Sequence, residues 1–490
     1  MNFSPESIRI NLTKFTAELP VIFLLFALAL ALTPSFDIII WAIPYDEKRI
    51  FELAILCVAA GGILFSKQIS VSWLESFQFL PALTQGGLCI ILVLGIASST
   101  LAASPRDAFL ELCLFGLLFS FAISISTLVK RNPPIILGAF FGALLSSIFF
   151  YEITFFSAYI GSFIQLFPFD ADMLFANFSN VRFLNQFQVW TLPLMLLPLL
   201  LYRDKLNLRT VAFIFFLGIA WWVIVFATRG RGIQLAILAA SVLTLLVFHR
   251  HAWPLIKLLW ISALLGGIAY LFLFVYLPPH GEGEAVKITG LLTDNGRTSL
   301  WTTALKMALD NPLLGVGPGH YAWYPNDIAA HPHNALLQIM SEWGIPVAIL
   351  FLLLFCWGGI AWCRQFYRLE TIVQDNRKKH LWIGLFCSAT AGIAYSMVSG
   401  VIVMPLGQIM FAAVIGIMLG LYRFAEPVKK TYTPLALGLL RLALAGFTAY
   451  LLIAVTPDIL TRIETPSPPY NDAPVITKGP RFWQEGGIPH

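Results

Sequence analysis

Charge is what this sequence has least of. Asp, Glu, Lys and Arg together make up 12% of its 490 residues, against 58% hydrophobic ones, and the mean hydropathy is +0.80. A soluble globule of this length needs more polar surface than that to cover itself. The composition therefore excludes the soluble classes and points to a polytopic membrane protein. Cysteine is also scarce. The six cysteines, Cys57, Cys89, Cys113, Cys356, Cys363 and Cys387, lie in or at the edge of apolar runs. None has zinc-type spacing and none sits in a long polar loop, which excludes a disulfide framework. No P-loop, Gly-x-Ser-x-Gly elbow or Rossmann fingerprint is present. The net charge of +5 is too small and too dispersed to signal nucleic acid. No small-residue cleavage site follows the first apolar run, which reads as a retained helix.

What is abundant is apolar length. Forty-one Phe and fourteen Trp suit lipid-facing and interfacial positions. Runs able to cross a ~30 Å hydrocarbon core lie near 18–36, 50–66, 83–102, 108–129, 134–160, 186–202, 210–227, 233–248, 254–277, 345–363, 381–399, 401–422 and 433–455. The expected fold is all-α, with about 12–14 transmembrane helices and one large polar segment between two of them. If the spans alternate, Lys130 with Arg131 and the basic loops 203–209, 250–257, 364–379 and 423–430 share one side, which the positive-inside rule makes cytoplasmic. The N-terminus is then inside. Residues 1–277 are expected as N-terminal transmembrane helices and 278–344 as a periplasmic loop whose amphipathic helices carry the active site. Residues 345–455 follow as C-terminal helices and 456–490 as a periplasmic tail, with a proline-rich stretch at 465–470.

The polar segment 291–346 collects most of the unusual chemistry. It holds Arg297, a Gly-Val-Gly-Pro-Gly turn at 315–319, His320, the aromatics Tyr321, Trp323 and Tyr324, and the pair His331 and His333. Leu300, Trp301, Ala304, Leu305 and Ala308 recur at helical spacing, predicting an amphipathic helix along the outer surface that ends at Asp310-Asn311-Pro312. Pro332 suits the first turn of a further helix running through Glu342, which would place His333 at its positive end. An electropositive setting keeps an imidazole neutral, as a general base requires.

Arg182, Arg229, Arg231 and Arg297 fall on the side where basic residues are disfavoured. A single arginine there is explained by snorkelling. Four, two of them in the turn Thr-Arg-Gly-Arg-Gly at 228–232, suggest an anionic ligand. Glycines beside Arg231 let backbone approach that ligand, and guanidinium forks match phosphate oxygens bidentately. A diphosphate at the membrane surface, such as a lipid-linked sugar carries, is the natural partner. Spacing leaves open whether Arg229 or Arg231 makes the contact. The spacing of His320, His331 and His333 is not that of a metal site, so no metal and no cofactor is expected. Asp170-Ala171-Asp172 resembles the metal-binding carboxylates of nucleotide-sugar transferases, a three-residue match on the side without nucleotide sugars.

The run from Trp301 through Asn311-Pro312 to Gly315-Val-Gly317, then His333-Asn334 and Glu342-Trp343-Gly344, resembles the superfamily of O-antigen ligases, O-antigen polymerases and protein O-oligosaccharyltransferases. Ligases of that group carry His, then Asn, Ser or Gln, nine residues, and Gly-x-x-Gly. His333, Asn334 and Gly344 fit, and Val347 stands where the second glycine would be. The resemblance is strongest over 180–410, where Phe183, Asn185, Gln186, Met404 and Pro405 also look family-like. It implies a bacterial inner-membrane enzyme that needs no metal and transfers a glycan, with inversion, from undecaprenyl diphosphate at the periplasmic face. The acceptor would be lipid A–core, a second lipid-linked glycan or a protein hydroxyl. His333 would be the base, and Arg297 with Arg229 or Arg231, and Arg182 nearby, would hold the diphosphate. Tyr321, Trp323, Tyr324 and His331 would contact the glycan. A transporter of lipid-linked sugars would instead want broken or charged helices at the bilayer midplane and two related halves, and neither is visible.

Overall fold

A computed structural model of the chain describes residues 43–164, 178, 180–277, 296–324, 328–370, 375–422, 433–464 and 481–483. The apolar run 18–36, the Asp170-Ala171-Asp172 motif and the proline-rich stretch 465–470 lie outside the described residues. Every regular element among the described residues is helical.

The chain runs α1 (Pro44–Phe65), α2 (Lys67–Gln78), α3 (Ala82–Leu101), α4 (Pro105–Arg131), α5 (Pro133–Ile164), α6 (Val181–Leu201), α7 (Leu208–Ala227), α8 (Arg231–Phe248) and α9 (Trp253–Tyr270, extended by a wider π-turn to Tyr276). The polar segment contributes α10 (Arg297–Asp310) and α11 (Ala335–Trp343), and α12 (Ile345–Glu370), α13 (Asn376–Ser396), α14 (Pro405–Leu421) and α15 (Pro434–Glu464) complete the bundle. Nine of these helices are long and apolar enough to cross a membrane by themselves. The protein is an all-α, multi-pass membrane protein.

Twelve of the thirteen expected runs coincide with helices, but not all behave as plain spans. Helix α1 breaks at Ser66 and α2 leaves it at 104°, the break being capped by Ser66 Oγ, which accepts from Ile69 N. Helix α14 has 17 residues, short for a perpendicular crossing at 1.5 Å per residue. It packs along α4, where a Cβ at Gly416 would lie 2.5 Å from the Ala122 carbonyl oxygen. Small residues of this kind let membrane helices approach backbone to backbone.

Helix α6 is the centre of the bundle and is buried along almost its whole length, while α9, α12 and α15 face outward over most of theirs. An enclosed helix can carry polar groups only where partners meet them. Asn185 Nδ2 donates to Gln188 Oε1 and to Thr228 Oγ1, both at 2.9 Å, and Gln186 Nε2 donates to Ser399 Oγ at 2.9 Å. Trp221 Nε1 donates to Thr191 Oγ1 at 2.9 Å. These bonds tie the start of α6 to the α7–α8 turn and to the end of α13.

Among the described residues, the basic stretches 203–209, 250–257, 364–370 and 375–379 gather at one end of the bundle. Arg377 pairs with Asp204 and Arg131 donates to Ser72 Oγ. Arg182, the 228–232 turn, α10, α11 and the α13–α14 connection collect at the other end.

Candidate active site

Four polypeptide segments meet at that second end. The first is the start of α6. Asn180 caps it, its side chain accepting from Arg182 N at 2.8 Å, and Arg182 Nη1 donates to the Thr228 carbonyl at 3.2 Å. The second is the turn 228–232. Arg229 adopts φ 53°, in the left-handed region, and Arg231 is the first residue of α8. Gly230 is pressed against Asn185, where a Cβ would lie 2.4 Å from Oδ1, and at Gly232 it would lie 3.0 Å from the Tyr395 ring. This explains the glycines on both sides of Arg231: they seat the turn between α6 and α13, leaving both arginine side chains exposed.

The third segment is α10, which opens with Arg297 behind Gly296 (φ 74°). The fourth is the approach to α11. Asn334 caps α11, with Oδ1 accepting from Leu337 N at 3.0 Å, while its Nδ2 donates to the Met397 carbonyl at 3.1 Å. Trp301 Nε1 donates to the Pro332 carbonyl at 3.0 Å and joins α10 to this loop. The expectation for Pro332 needs correction. The helix starts three residues later, at Ala335, because Asn334 offers an oxygen to the free N–H groups of the first turn and proline offers none. His333 thus lies just before the cap, with φ 53°.

Arg297 and His333 are brought together. The His333 imidazole is half-buried and held down at about 4, first by burial and second by the Arg297 charge, so it is neutral at physiological pH. Arg182 and Arg297 both lie within electrostatic range of Tyr395. Neither has a carboxylate partner among the described residues. Arg182, Arg231 and Arg297 all occupy the first turn of a helix, the end where a cation opposes the helix dipole. Three such misplacements at one end of the bundle concentrate positive potential, from guanidinium groups and helix N-termini alike, that an anion would relieve.

Two of the expected glycan contacts are corrected. The Tyr321 ring is fully buried, its hydroxyl donating to the Leu300 carbonyl at 3.0 Å, so it packs under α10 and has no free face. His331 is also buried, pressed on Gly400, where a Cβ would lie 2.4 Å from Cε1. Its Nδ1 accepts from His333 N at 3.3 Å, and the two rings meet edge to face at 4.2 Å. His331 thus shapes the backbone that presents His333. Trp323 and Tyr324 are half-buried, and Trp323 stacks on His320. His320 is structural: its Nδ1 bonds the Pro318 carbonyl and its Nε2 accepts from Ser104 N, both at 2.9 Å. On α10 the buried stripe is Leu300, Ala304, Met307 and Ala308. Leu305, expected in that stripe, is exposed.

The Gly-Val-Gly-Pro-Gly turn fastens the far end of α11. Val316 N donates to the Ser341 carbonyl at 2.9 Å and Gly317 N to the Glu342 carbonyl at 3.0 Å. Gly344, at φ 91°, lies where a Cβ would be 2.3 Å from the Leu313 carbonyl oxygen. Beneath it is a buried charge cluster that sequence reasoning missed. Glu342 Oε1 accepts from Tyr321 N at 3.0 Å and its Oε2 accepts from Arg481 Nη2 at 2.7 Å. Arg481 Nη2 also donates to Glu111 Oε1 at 2.9 Å. Burial raises the Glu342 carboxyl to about 7; Arg481 pulls it down and Glu111 pushes it up. The periplasmic-tail expectation for 456–490 is corrected in part, since residues up to Glu464 finish α15 and Arg481 to Trp483 fold into the protein.

Residues 192–352 match the family model described as O-antigen ligase. A search of curated proteins gave no match to the chain. The matched stretch contains Arg229, Arg231, Arg297, His333 and Glu342. Arg182, the 395–400 connection and Arg481 complete the same end of the bundle from outside it.

Proposed function

We propose that this protein transfers a glycan from undecaprenyl diphosphate to an acceptor hydroxyl at the periplasmic face of a bacterial inner membrane. The observation that carries the reading is the pairing of a neutral His333 with Arg297, at the end of the bundle that also holds Arg182 and the 228–232 turn. His333 accepts the proton of the acceptor hydroxyl as its oxygen attacks the anomeric carbon. The new glycosidic C–O bond forms as the bond to the diphosphate oxygen breaks, with inversion. Undecaprenyl diphosphate leaves with the electron pair. Arg297, with Arg182 and either Arg229 or Arg231, binds the diphosphate and stabilises the charge that grows on it. Trp323 and Tyr324 line the approach of the glycan. No metal is required in this scheme, so activity persists in EDTA.

The acceptor is lipid A–core, a second lipid-linked glycan or a protein hydroxyl. Deletion of the gene followed by gels of surface polysaccharide and of glycoproteins separates the three. The direct test supplies purified protein with undecaprenyl-diphosphate-linked glycan and each acceptor and measures free undecaprenyl diphosphate. His333→Ala is expected to release none, and Arg297→Lys to fail nearly as badly as Arg297→Ala, because a point charge lacks the fork. A transporter releases none even as wild type. Near-normal turnover in either variant refutes the roles given to these residues.

A further inference from the structure

The segment Arg481-Phe482-Trp483 returns to the bundle and is clamped on every side. Tyr45 OH donates to the Arg481 carbonyl at 2.5 Å, Arg49 Nε to the Phe482 carbonyl at 3.0 Å, and Trp483 Nε1 to Asp458 Oδ2 at 2.9 Å. The Arg462 guanidinium lies over the Trp483 ring at 4.6 Å while its Nε bonds Asp46 at 3.1 Å. What this clamp delivers is one guanidinium. The Arg481 side chain is 5% exposed and lies between Glu111 of α4, also 5% exposed, and Glu342 of α11, at 0%. Gln338, one turn before Glu342, faces the same guanidinium, and its amide oxygen accepts from Arg481 once the amide is oriented by its neighbours. Gly319 passes over Nε.

Glu111 anchors the cluster to α4, and its other arms end on elements of the site. Glu342 and Gln338 belong to the helix that follows His333 and Asn334. Glu342 also holds Tyr321 N, and the Tyr321 hydroxyl holds the Leu300 carbonyl, one turn into the helix that Arg297 opens. A buried guanidinium bridging two carboxylates offsets their desolvation only while all three are present. Without it the two carboxylates confront each other in a site that water does not reach.

We propose that Arg481 is a positioning residue for the transfer reaction: it pins α11 and, through Tyr321, α10, and so sets His333 against Arg297. This inference rests on the roles proposed above for His333 and Arg297, and its test includes a readout that needs no turnover. Full-length wild type, Arg481→Met and Arg481→Lys are compared, together with the double variant Glu111→Gln/Arg481→Met, in which the facing charge is removed as well. Donor-dependent release of undecaprenyl diphosphate gives kcat and KM per folded molecule. Labelling of His333 by diethyl pyrocarbonate, assigned to the residue by fragment-ion mass spectrometry so that His331 is separated from it, reports its environment independently of activity.

Arg481→Met is expected to lower kcat at least about tenfold with little change in donor KM, as displacement of the catalytic group predicts. His333 labelling should change by severalfold, and millimolar guanidinium should restore part of both. Arg481→Lys should fall between wild type and Arg481→Met. If Arg481→Met does not fold, the double variant, relieved of like-charge repulsion, carries the same comparison. Unchanged His333 labelling and unchanged kcat per folded molecule in these variants, with only a lower melting temperature, would overturn the proposal. Wild-type protein without transfer activity but with Arg481-dependent His333 labelling would instead refute the proposed function and leave the pin intact.

Discussion

The protonation of His333 is the most direct handle on this site. Its imidazole is held at about 4, by burial first and the Arg297 charge second, against an ordinary value of about 6.5. At pH 5.5 a group with a pKa of about 4 is roughly 97% neutral, whereas an unperturbed histidine is about 9% neutral, a tenfold difference in reactive imidazole. Diethyl pyrocarbonate acylates only the neutral ring, and fragment-ion mass spectrometry of the peptide that carries His331 and His333 assigns the label to His333 among the eight histidines. Its labelling rate in wild-type protein should therefore hold level down to about pH 5 and halve near 4. Arg297→Met should move the midpoint upward, though not to the ordinary value, since burial remains. The unfolded chain takes up this proton near pH 6.5 and the folded one resists until about 4, so acidification through that window costs stability. A wild-type midpoint near 6.5, or one that Arg297→Met leaves in place, would refute the pairing of these two residues.

Other outcomes are expected elsewhere in the site. Gly344→Ala places a Cβ 2.3 Å from the Leu313 carbonyl oxygen at φ 91°, so strain alone costs about 1–3 kcal/mol and the clash adds to it, read as a lower Tm in detergent. Asn334→Ala loses both the helix cap and the bond to Met397, about 1 kcal/mol for the cap. Asn334→Ser keeps the cap but cannot reach Met397, so its Tm should recover while kcat stays low. Arg182→Gln should raise donor KM more than it lowers kcat, since Arg182 sits on the 228–232 turn and is placed on the bound diphosphate, not the reacting carbon. Equal loss in both constants would move Arg182 to the transition state.

Much of this protein was legible in its sequence because membrane solvation acts on composition. An apolar run long enough to span must be helical, since hydrocarbon offers backbone groups no partner. The side on which Arg182, Arg229, Arg231 and Arg297 fall follows from counting spans, and His333 is marked by its place before a polar helix cap. Tertiary structure decided the rest. Tyr321 and His331 read as open aromatics, and only packing against Leu300 and Gly400 shows them enclosed. Glu342 looks like an ordinary helix residue and Arg481 like part of a polar tail. Their ion pair spans 139 positions, and no local pattern signals a charge whose partner is supplied by a distant fold. Short-range chemistry, in caps, turns and hydrophobic length, is written in neighbouring residues. Whether a buried charge is tolerated depends on what the completed bundle sets beside it.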